Sequence, residues 1–310
     1  MYTLGIDVGG TTIKSALVDP AGSLLAKKRT PTPKGAEPLA QTVAQIAREY
    51  ETLIHDGELH DYRGVVDETR VRHTVGVAVP GVVDEEAGCA VLSVNLGWED
   101  VPMAELLQKE IGRPVVLGHD VRSGALAESI WGQAGPNTVF LAIGTGIAAG
   151  VILDGKPRVG RGWAGEVGQS IIHDPFNPSQ RVPMEQIASA ASIARRFLER
   201  TSYDSIDGAR EVFELAAKGN SVAKQVIDEA CEALADSVVS AVSLLGQVRI
   251  VIGGGLAEAG PDLINPLRQK VRNRIGVLPE PEIIGAKLGS WAQTRGIAYA
   301  AMRQELGLSW

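Results

Sequence analysis

Three glycine-rich turns follow apolar segments of the chain, and each could bind an anion. They are Gly9-Gly10-Thr11-Thr12, Gly144-Thr145-Gly146 and Gly253-Gly254-Gly255. Glycine lets main-chain N–H groups approach an anion closely, and threonine adds a hydroxyl donor. One such turn alone is more often only a hairpin turn. Three in one chain, two of them at matching places in a repeat, indicate a clamp on the phosphates of a nucleotide.

Two aspartates stand where a phosphoryl-transfer site needs carboxylates. Asp7 lies between the first strand and the first turn, where it suits either Mg²⁺ bound through water or a simple turn cap. Asp120 follows a buried strand and begins a predicted helix. There it could serve as a general base or as the helix N-cap, and these residues alone favour the cap.

The spacing of the glycines argues against two common nucleotide folds. The sequence has no Walker-type P-loop motif, and no G-x-G-x-x-G opens a helix after the first predicted strand. Both motifs place a helix directly after the glycine loop, whereas here the first two turns lead into strands.

Two similar strand–turn–strand segments position these turns. Residues 4–19 and 139–154 each contain an apolar strand, a Gly/Thr turn, a second apolar strand and an aspartate. The repeat predicts two related α/β lobes that face one cleft. The other predicted elements are a strand over 23–28, a helix over 39–54, a surface excursion over 55–72, a strand over 73–79, a helix over 102–111, a strand over 115–117, a helix over 121–133, a strand over 248–252 and a helix over 291–305.

Composition narrows the class of protein. The 310 residues include 30 basic and 37 acidic side chains, and the net charge of -7 opposes non-specific binding to a nucleic-acid backbone. No apolar run reaches the roughly 18 to 20 residues of a membrane-spanning helix, and no signal peptide is visible. Cys89 and Cys231 are isolated, which favours a reducing compartment. We therefore expect a cytoplasmic protein with no nucleic-acid or membrane partner.

With these motifs in order along nearly the whole chain, the sequence resembles the ROK family of sugar kinases and repressors. The matching segments are Ile6-Asp7-Val8-Gly9-Gly10-Thr11-Thr12, Gly76-Val77-Ala78-Val79-Pro80-Gly81, Asn95-Leu96-Gly97-Trp98, His119-Asp120, Gly144-Thr145-Gly146-Ile147, Gly165-Glu166-Val167-Gly168 and Glu185 before Ala188-Ser189. The resemblance implies a two-lobed, ribonuclease H-like α/β fold of the actin and hexokinase type, with an interlobe cleft. We expect a small lobe over 1–118 with the C-terminal helix 291–310, and a large lobe over 119–290. The family implies a homodimer.

The resemblance also implies an activity and a set of site residues. The activity is ATP- and Mg²⁺-dependent transfer of the γ-phosphoryl group to a sugar hydroxyl, usually the 6-OH of a hexose or N-acetylhexosamine. Asp120 matches the catalytic base. The expected sugar contacts are Asn95, His119, Asp120, Glu166, Gln169 and Glu185. The expected nucleotide contacts are Asp7 (through Mg²⁺), Gly9, Gly10, Thr11, Thr12, Lys14, Gly144, Thr145, Gly146, Gly254 and Gly255.

The sequence departs from the family pattern in three ways. Many ROK proteins hold a structural zinc through one His and three Cys, but those positions carry Gln169, Phe176, Pro178 and Pro183 here, so we expect no structural zinc. His119 stands where the family usually has Asn before the catalytic Asp. The first phosphate turn begins at Asp7, so we expect no helix-turn-helix domain before it and no DNA binding.

Glucose is the expected substrate because Asn95, Asp120, Glu166 and Glu185 are all kept. N-acetylmannosamine or N-acetylglucosamine is the alternative acceptor, since pocket volume near C2 of the sugar is not visible in a sequence. A non-catalytic sugar-binding regulator with the same fold is the alternative of another class, and Gln169 and His119 favour it. Polyphosphate also stays open as the phosphoryl donor, although the Gly253–Gly255 turn favours a nucleoside.

Overall fold

The computed structural model describes residues 1–308. Its strands are β1 Thr3–Val8, β2 Thr12–Val18, β3 Leu24–Pro31, β4 His60–Asp61, β5 Gly64–Val65, β6 Val75–Val79, β7 Val82–Asp84, β8 Cys89–Ser93, β9 Trp98–Val101, β10 Val115–His119, β11 Thr138–Ile143, β12 Ile147–Leu153, β13 Lys156–Pro157, β14 Ile171–His173, β15 Arg181–Pro183, β16 Arg249–Gly253 and β17 Ile283–Gly285. Its α-helices are α1 Ala36–His55, α2 Met103–Ile111, α3 Asp120–Ile130, α4 Glu185–Ala188, α5 Ala190–Glu199, α6 Gly208–Ala217, α7 Ser221–Leu245, α8 Pro261–Arg274 and α9 Ala292–Glu305. None of these helices is both long and apolar enough to cross a membrane.

The chain divides into two compact units. The first contains Met1–Gln133, Ile152–Ala164 and the residues from Ser290 onward, and the second contains Ala134–Val151 and Gly165–Gly289. The first unit therefore extends beyond the predicted limit at residue 118. It includes α3 because α3 packs directly on α9, where a methyl group at Gly296 would overlap the carbonyl oxygen of Ser123. Residues 309 and 310 of the predicted terminal helix lie outside the described residues.

The first unit is built on a five-stranded sheet in the order β10-β6-β1-β2-β3. Strands β1, β2 and β3 form the predicted antiparallel meander, and β6 and β10 add in parallel. The apolar stripe of α1 is buried in the same cluster as Leu4 and Ile6 of β1. Helix α9 approaches the sheet closely, because a side chain at Gly5 or Gly76 would overlap the α9 main chain. These contacts cover a central strand, β1, that is buried at every position.

The sheet that contains β11 repeats this topology. Its order is β13-β12-β11-β16-β17, and β16 and β17 run parallel to β11. In both sheets the third, second, first, fourth and fifth strands of the repeat are neighbours in that order. The internal repeat predicted from residues 4–19 and 139–154 is therefore confirmed by strand order. The short strand β13 pairs with the end of β12, at Ile152 and Leu153.

Two segments contain structure that the sequence pattern does not predict. Strands β7, β8 and β9 form a small antiparallel sheet between Val82 and Val101. Strands β14 and β15 form a hairpin over residues 171–183. The expected surface excursion over 55–72 is mostly exposed. It contains the two-residue strands β4 and β5, a short 3-10 helix, Glu68–Arg70, and a β-bridge from Val71 to Tyr2.

Candidate active site

The first glycine turn joins β1 to β2 in the first unit. The Gly9 N–H donates to the Thr12 carbonyl oxygen at 3.1 Å, and the Thr32 hydroxyl donates to the Gly9 carbonyl oxygen at 2.7 Å. Gly10 and Thr11 at the tip are exposed. Hydrogen bonds therefore hold the base of the turn, while its tip stays accessible, as an anion-binding loop requires.

Asp7 and Lys14 form a partly buried ion pair at the base of this hairpin. They are cross-strand neighbours in β1 and β2, and Lys14 Nζ lies 3.4 Å from Asp7 Oδ2. Burial raises the pKa of Asp7, and the ammonium of Lys14 opposes that rise. Asp7 is only 3% exposed. A carboxylate is rarely buried so deeply beside an exposed loop unless it has a partner or a function.

The other two glycine turns meet within the second unit. Gly144 closes its own turn by donating to the Gly146 carbonyl oxygen at 2.9 Å. Gly254 has a φ of 76°, and a side chain there would overlap the Ile143 main chain just before that turn. Ala190, the first residue of α5, donates its N–H to the Gly144 carbonyl oxygen at 2.9 Å. Two loops with N–H donors and one helix N-terminus thus lie side by side.

A cavity of about 660 Å³ opens beside these two turns. It is lined by Ala190, Gly255 and Leu256 and by residues of α6 that include Phe213 and Arg210. Its volume is within the range of ligand pockets, about 300 to 1,000 Å³, and it mixes apolar walls with a few polar groups. The position and size suit a nucleoside attached to phosphates at the neighbouring turns.

Asp120 is the first residue of α3 but does not cap it. The N-cap is His119, whose Nδ1 accepts from the Arg122 N–H at 3.3 Å. Asp120 Oδ1 instead accepts from the adjacent Val121 N–H at 2.7 Å and lies 3.3 Å from His119 Nε2. The Asp120 side chain is 24% exposed. The N-cap interpretation of Asp120 is therefore wrong, and its carboxylate stays accessible at a helix start.

The sequence pattern does not predict the buried ion pair between Glu85 and Arg122, near the start of α3. Glu85 Oε1 accepts from Arg122 Nε at 3.1 Å and from the His119 N–H at 2.8 Å. Burial lowers the pKa of His119 well below 6.5, with the Arg122 charge adding to the effect, so the ring is neutral. An arginine among the small apolar residues of α3 is the sequence signal for this pair, although its partner is 37 residues away.

Asn95 lies in the turn between β8 and β9 and is exposed. The preceding strand is close to His119, because Gly81 hydrogen-bonds the His119 ring and also packs against the Leu92 carbonyl group. The first unit thus brings β8, the strand that precedes the Asn95 turn, close to His119.

Gln169 and Glu185 are brought together in the second unit. Gln169 Nε2 donates to Glu185 Oε1 at 2.9 Å, and the Ile147 N–H donates to Glu185 Oε2 at 3.4 Å. A methyl group at Gly146 would lie 2.9 Å from Glu185 Oε2. Glu166 precedes Gln169 by three residues, and its carbonyl oxygen accepts from the Gln169 N–H at 3.1 Å. An expected sugar ligand therefore touches an expected phosphate turn.

Three of the four positions of the family zinc ligands lie in the hairpin of β14 and β15, and the fourth, Gln169, lies just before it. Phe176 and Pro178 are exposed in its loop, and Pro183 ends β15. His173 Nδ1 lies 3.0 Å from the Pro178 carbonyl oxygen, so the ring closes the hairpin loop. Among residues 1–308, no three His, Cys, Asp or Glu side chains are grouped so that they could hold a metal ion.

Two sheets of equal strand order, each with a glycine turn between its first two strands, match the two-lobed α/β fold of the actin and hexokinase class. The two-unit α/β architecture agrees with the expected fold class. Within that class the chain belongs to the ROK family, whose model matches residues 3–304.

Several curated proteins are similar to this chain along most of its length. The glucokinase of Halalkalibacterium halodurans is 31% identical over 290 residues, which cover 86% of this chain and 84% of that protein. The glucokinase of Thermotoga maritima is 32% identical over 293 residues, 86% of each. The N-acetylmannosamine kinase of Yersinia pseudotuberculosis is 29% identical over 263 residues, 83% of each.

Solved structures confirm the expected fold class. A ROK family glucokinase from Streptomyces griseus, in complex with glucose and AMPPNP, matches with a TM-score of 0.78 at 24% identity, covering 98% of this chain and 100% of that one. The ROK hexokinase from Thermus thermophilus matches with a TM-score of 0.76 at 27% identity, covering 99% and 100%.

Proposed function

We propose that this protein is an ATP-dependent hexose kinase that phosphorylates the 6-hydroxyl of glucose. The observation that carries the proposal is the contact between Glu185 and the Gly144–Gly146 turn. A carboxylate suited to two sugar hydroxyls lies directly against a turn suited to phosphates, so acceptor and donor would meet there. The similar glucokinases of two bacteria support glucose as the acceptor.

Asp120 is the proposed general base. The 6-oxygen of the sugar attacks the γ-phosphorus while the bond from that phosphorus to the bridging oxygen of ADP breaks, and the hydroxyl proton passes to the Asp120 carboxylate. The exposed fraction of Asp120 and its place at the start of α3 support this role. General-base catalysis contributes roughly 10² to 10⁴ in rate, and most of the remaining barrier reduction comes from positioning and charge neutralisation.

The glycine turns are the proposed phosphate ligands. In the first unit these are Gly9, Gly10, Thr11 and Thr12 with Lys14, and in the second unit Gly144, Thr145, Gly146, Gly254 and Gly255. Their N–H groups and hydroxyls would hold the triphosphate, and the 660 Å³ cavity next to Gly255 would hold the adenosine.

Asp7 fits an outer-sphere Mg²⁺ ligand. Mg²⁺ keeps several waters and typically takes only one or two protein carboxylates in addition to substrate phosphates. A single buried carboxylate with one ammonium partner, next to an exposed phosphate turn, matches that donor set. When bound, Mg²⁺ would neutralise charge on the β- and γ-phosphates.

Asn95, His119, Glu166, Gln169 and Glu185 are the proposed sugar ligands together with Asp120. Gln169 stands at a position where the family usually has His, so the sugar preference can differ from glucose, and an N-acetylhexosamine kinase is the second candidate. The similarity to an N-acetylmannosamine kinase supports that alternative. An acetamido group at C2 needs more volume than a hydroxyl, so the two activities differ in the pocket near C2.

Assays of ADP release test the proposal. We expect turnover with glucose above that with N-acetylmannosamine or N-acetylglucosamine, and, in an assay of sugar-phosphate formation, with ATP above polyphosphate. Asp120→Asn should lower kcat roughly 10²- to 10⁴-fold while the glucose Kd stays near that of wild type. Asp56→Asn, the same change at an exposed helix end, is the control. Glucose binding without ATP consumption with any sugar would favour the regulator, and a preference for an N-acetylhexosamine would end the glucose assignment.

A cytoplasmic location and a homodimer belong to the same proposal. The location is supported by the use of ATP and by two unpaired thiols, Cys89 and Cys231. The dimer rests on the family resemblance alone, and light scattering of the purified protein would test it.

A further inference from the structure

The hairpin of residues 171–183 joins two of the proposed sugar ligands. Gln169 lies just before β14, and Glu185 lies just after β15. The base of the hairpin is closed by the Gln169–Glu185 hydrogen bond and by the Met184 N–H, which donates to the Ser170 carbonyl oxygen at 2.8 Å. Any tilt of the hairpin therefore moves both ligands.

Dense packing does not set the position of this hairpin. A cavity of about 580 Å³ lies between the hairpin and helices α5 and α7. Because the space beneath the strands is not filled by side chains, a few contacts across the cavity must hold the hairpin in place.

Two contacts cross that cavity. The ring of Phe176, near the hairpin tip, has its centroid 4.0 Å from the Arg200 guanidinium carbon. Asp174 Oδ1 lies 3.8 Å from Arg196 Nη2. Phe176 is 62% exposed, so hydrophobic burial does not explain its position. A guanidinium over an aromatic face is an attractive, directional contact.

Both arginines are fixed by one buried carboxylate of α7. Glu229 accepts from Arg196 Nη2 at 2.5 Å and from Arg200 Nη1 at 2.8 Å. Arg196 also donates to the Ile187 carbonyl oxygen in α4, the helix that begins at Glu185. The guanidinium that faces Phe176 is therefore part of a rigid network that also reaches the sugar-ligand helix.

We propose that Phe176 and Arg200 are positioning residues for the acceptor sugar: their stacking holds the hairpin so that Gln169 and Glu185 keep their relative placement. The proposal rests on the proposed function, because it takes these two residues as sugar ligands. It gives a metal-free means of fixing the hairpin.

Phe176→Ala tests this pair. We expect the KM for the sugar to rise about 3- to 10-fold, with kcat, the KM for ATP and the thermal midpoint near their wild-type values. Phe176→Tyr keeps an aromatic face and should restore the wild-type KM. Ile171→Ala is the matched control, since it truncates another exposed apolar residue of the same hairpin.

A wild-type KM for the sugar in Phe176→Ala, or an equal rise in Ile171→Ala, would overturn the inference. The same comparison of sugar Kd by calorimetry needs no turnover. If the wild type shows no turnover but Phe176→Ala weakens sugar binding, the kinase proposal fails and the positioning role stands. If the wild type shows turnover but Phe176→Ala binds sugar normally, the kinase proposal stands and the positioning role fails.

Discussion

Replacing Arg122 with methionine tests how much the first unit depends on a charge pair in its interior. Arg122 is fully buried and donates to Glu85 Oε1 at 3.1 Å. It also donates to the carbonyl oxygens of Val83 at 2.7 Å and Gly162 at 3.2 Å. Methionine fills similar volume but donates no hydrogen bond. Breaking one partner of a buried pair costs about 3 to 5 kcal/mol, so the thermal midpoint should fall by roughly 6 to 20 °C.

The size of this loss should depend on pH. Burial raises the pKa of Glu85 above 4.5, and the Arg122 charge opposes the rise. An acid whose pKa is higher in the folded state favours folding at low pH, and this contribution is lost as pH rises through the folded pKa. Without Arg122 the pKa rises further. The deficit of Arg122→Met relative to wild type should therefore be larger at pH 8 than at pH 5.

Thermal unfolding followed by circular dichroism at both pH values measures the effect. Adding Glu85→Gln to Arg122→Met removes the uncompensated charge and should recover part of the stability at pH 8. Arg210→Met is the control, because Arg210 is exposed and pairs only with Glu214 at (i, i+4) among the described contacts, a pair worth about 0.5 kcal/mol. If Arg122→Met costs no more than Arg210→Met, or costs the same at pH 5 and pH 8, the reasoning is refuted.

Two further substitutions test the hydrogen bonds around Asp61 and the packing of a proposed phosphate turn at Gly254. Burial raises the pKa of Asp61, but hydrogen bonds from the Arg63 N–H, Tyr2 and Arg70 lower it by more, from 3.8 to about 2. Asp61→Asn should therefore lower the thermal midpoint above pH 4, and the difference should shrink as pH falls from 4 and disappear below pH 2; a difference that persists below pH 2 would contradict this. Gly254→Ala adds a methyl group that overlaps the Ile143 main chain, so the KM for ATP should rise at least about 10-fold while the sugar Kd changes little. Equal loss of ATP and sugar binding would point to general unfolding.

Regular elements with a long hydrophobic period can be predicted from this sequence. The stripe over 39–54 gives α1, and the alternation of strands and Gly/Thr turns gives both hairpins of the repeat. The small sheet of β7 to β9 and the hairpin of β14 and β15 could not be predicted. Their strands have three to five residues, too few for a period to emerge, and they are held by partners across the sheet.

The candidate site was predictable by residue but not by arrangement. An aspartate at a helix start satisfies both the cap and the base interpretation, and only the His119 ring on the Arg122 N–H shows that Asp120 is not the cap. Arg122 stands out among the small residues of α3, but Glu85 looks like a surface charge in the sequence, because the burial that pairs the two comes from the fold. The fold also explains why α3 belongs to the first unit, because α3 packs on α9 of that unit, far away in the sequence.

The surroundings of Glu185 link the two halves of the proposed reaction. One carboxylate oxygen accepts from the N–H that follows the Gly144–Gly146 turn, and the other accepts from Gln169. The helix that Glu185 begins is bound in turn by Arg196, which shares Glu229 with Arg200. The Ile147 N–H holds one Glu185 oxygen beside the phosphate turn, and Gln169 holds the other at the base of the hairpin. We expect a tilt of the hairpin to act first on the Gln169 side, where it changes sugar binding, while the phosphate turn keeps its place. Within the second unit, the proposed sugar and phosphate sites therefore share one carboxylate but respond to different substitutions.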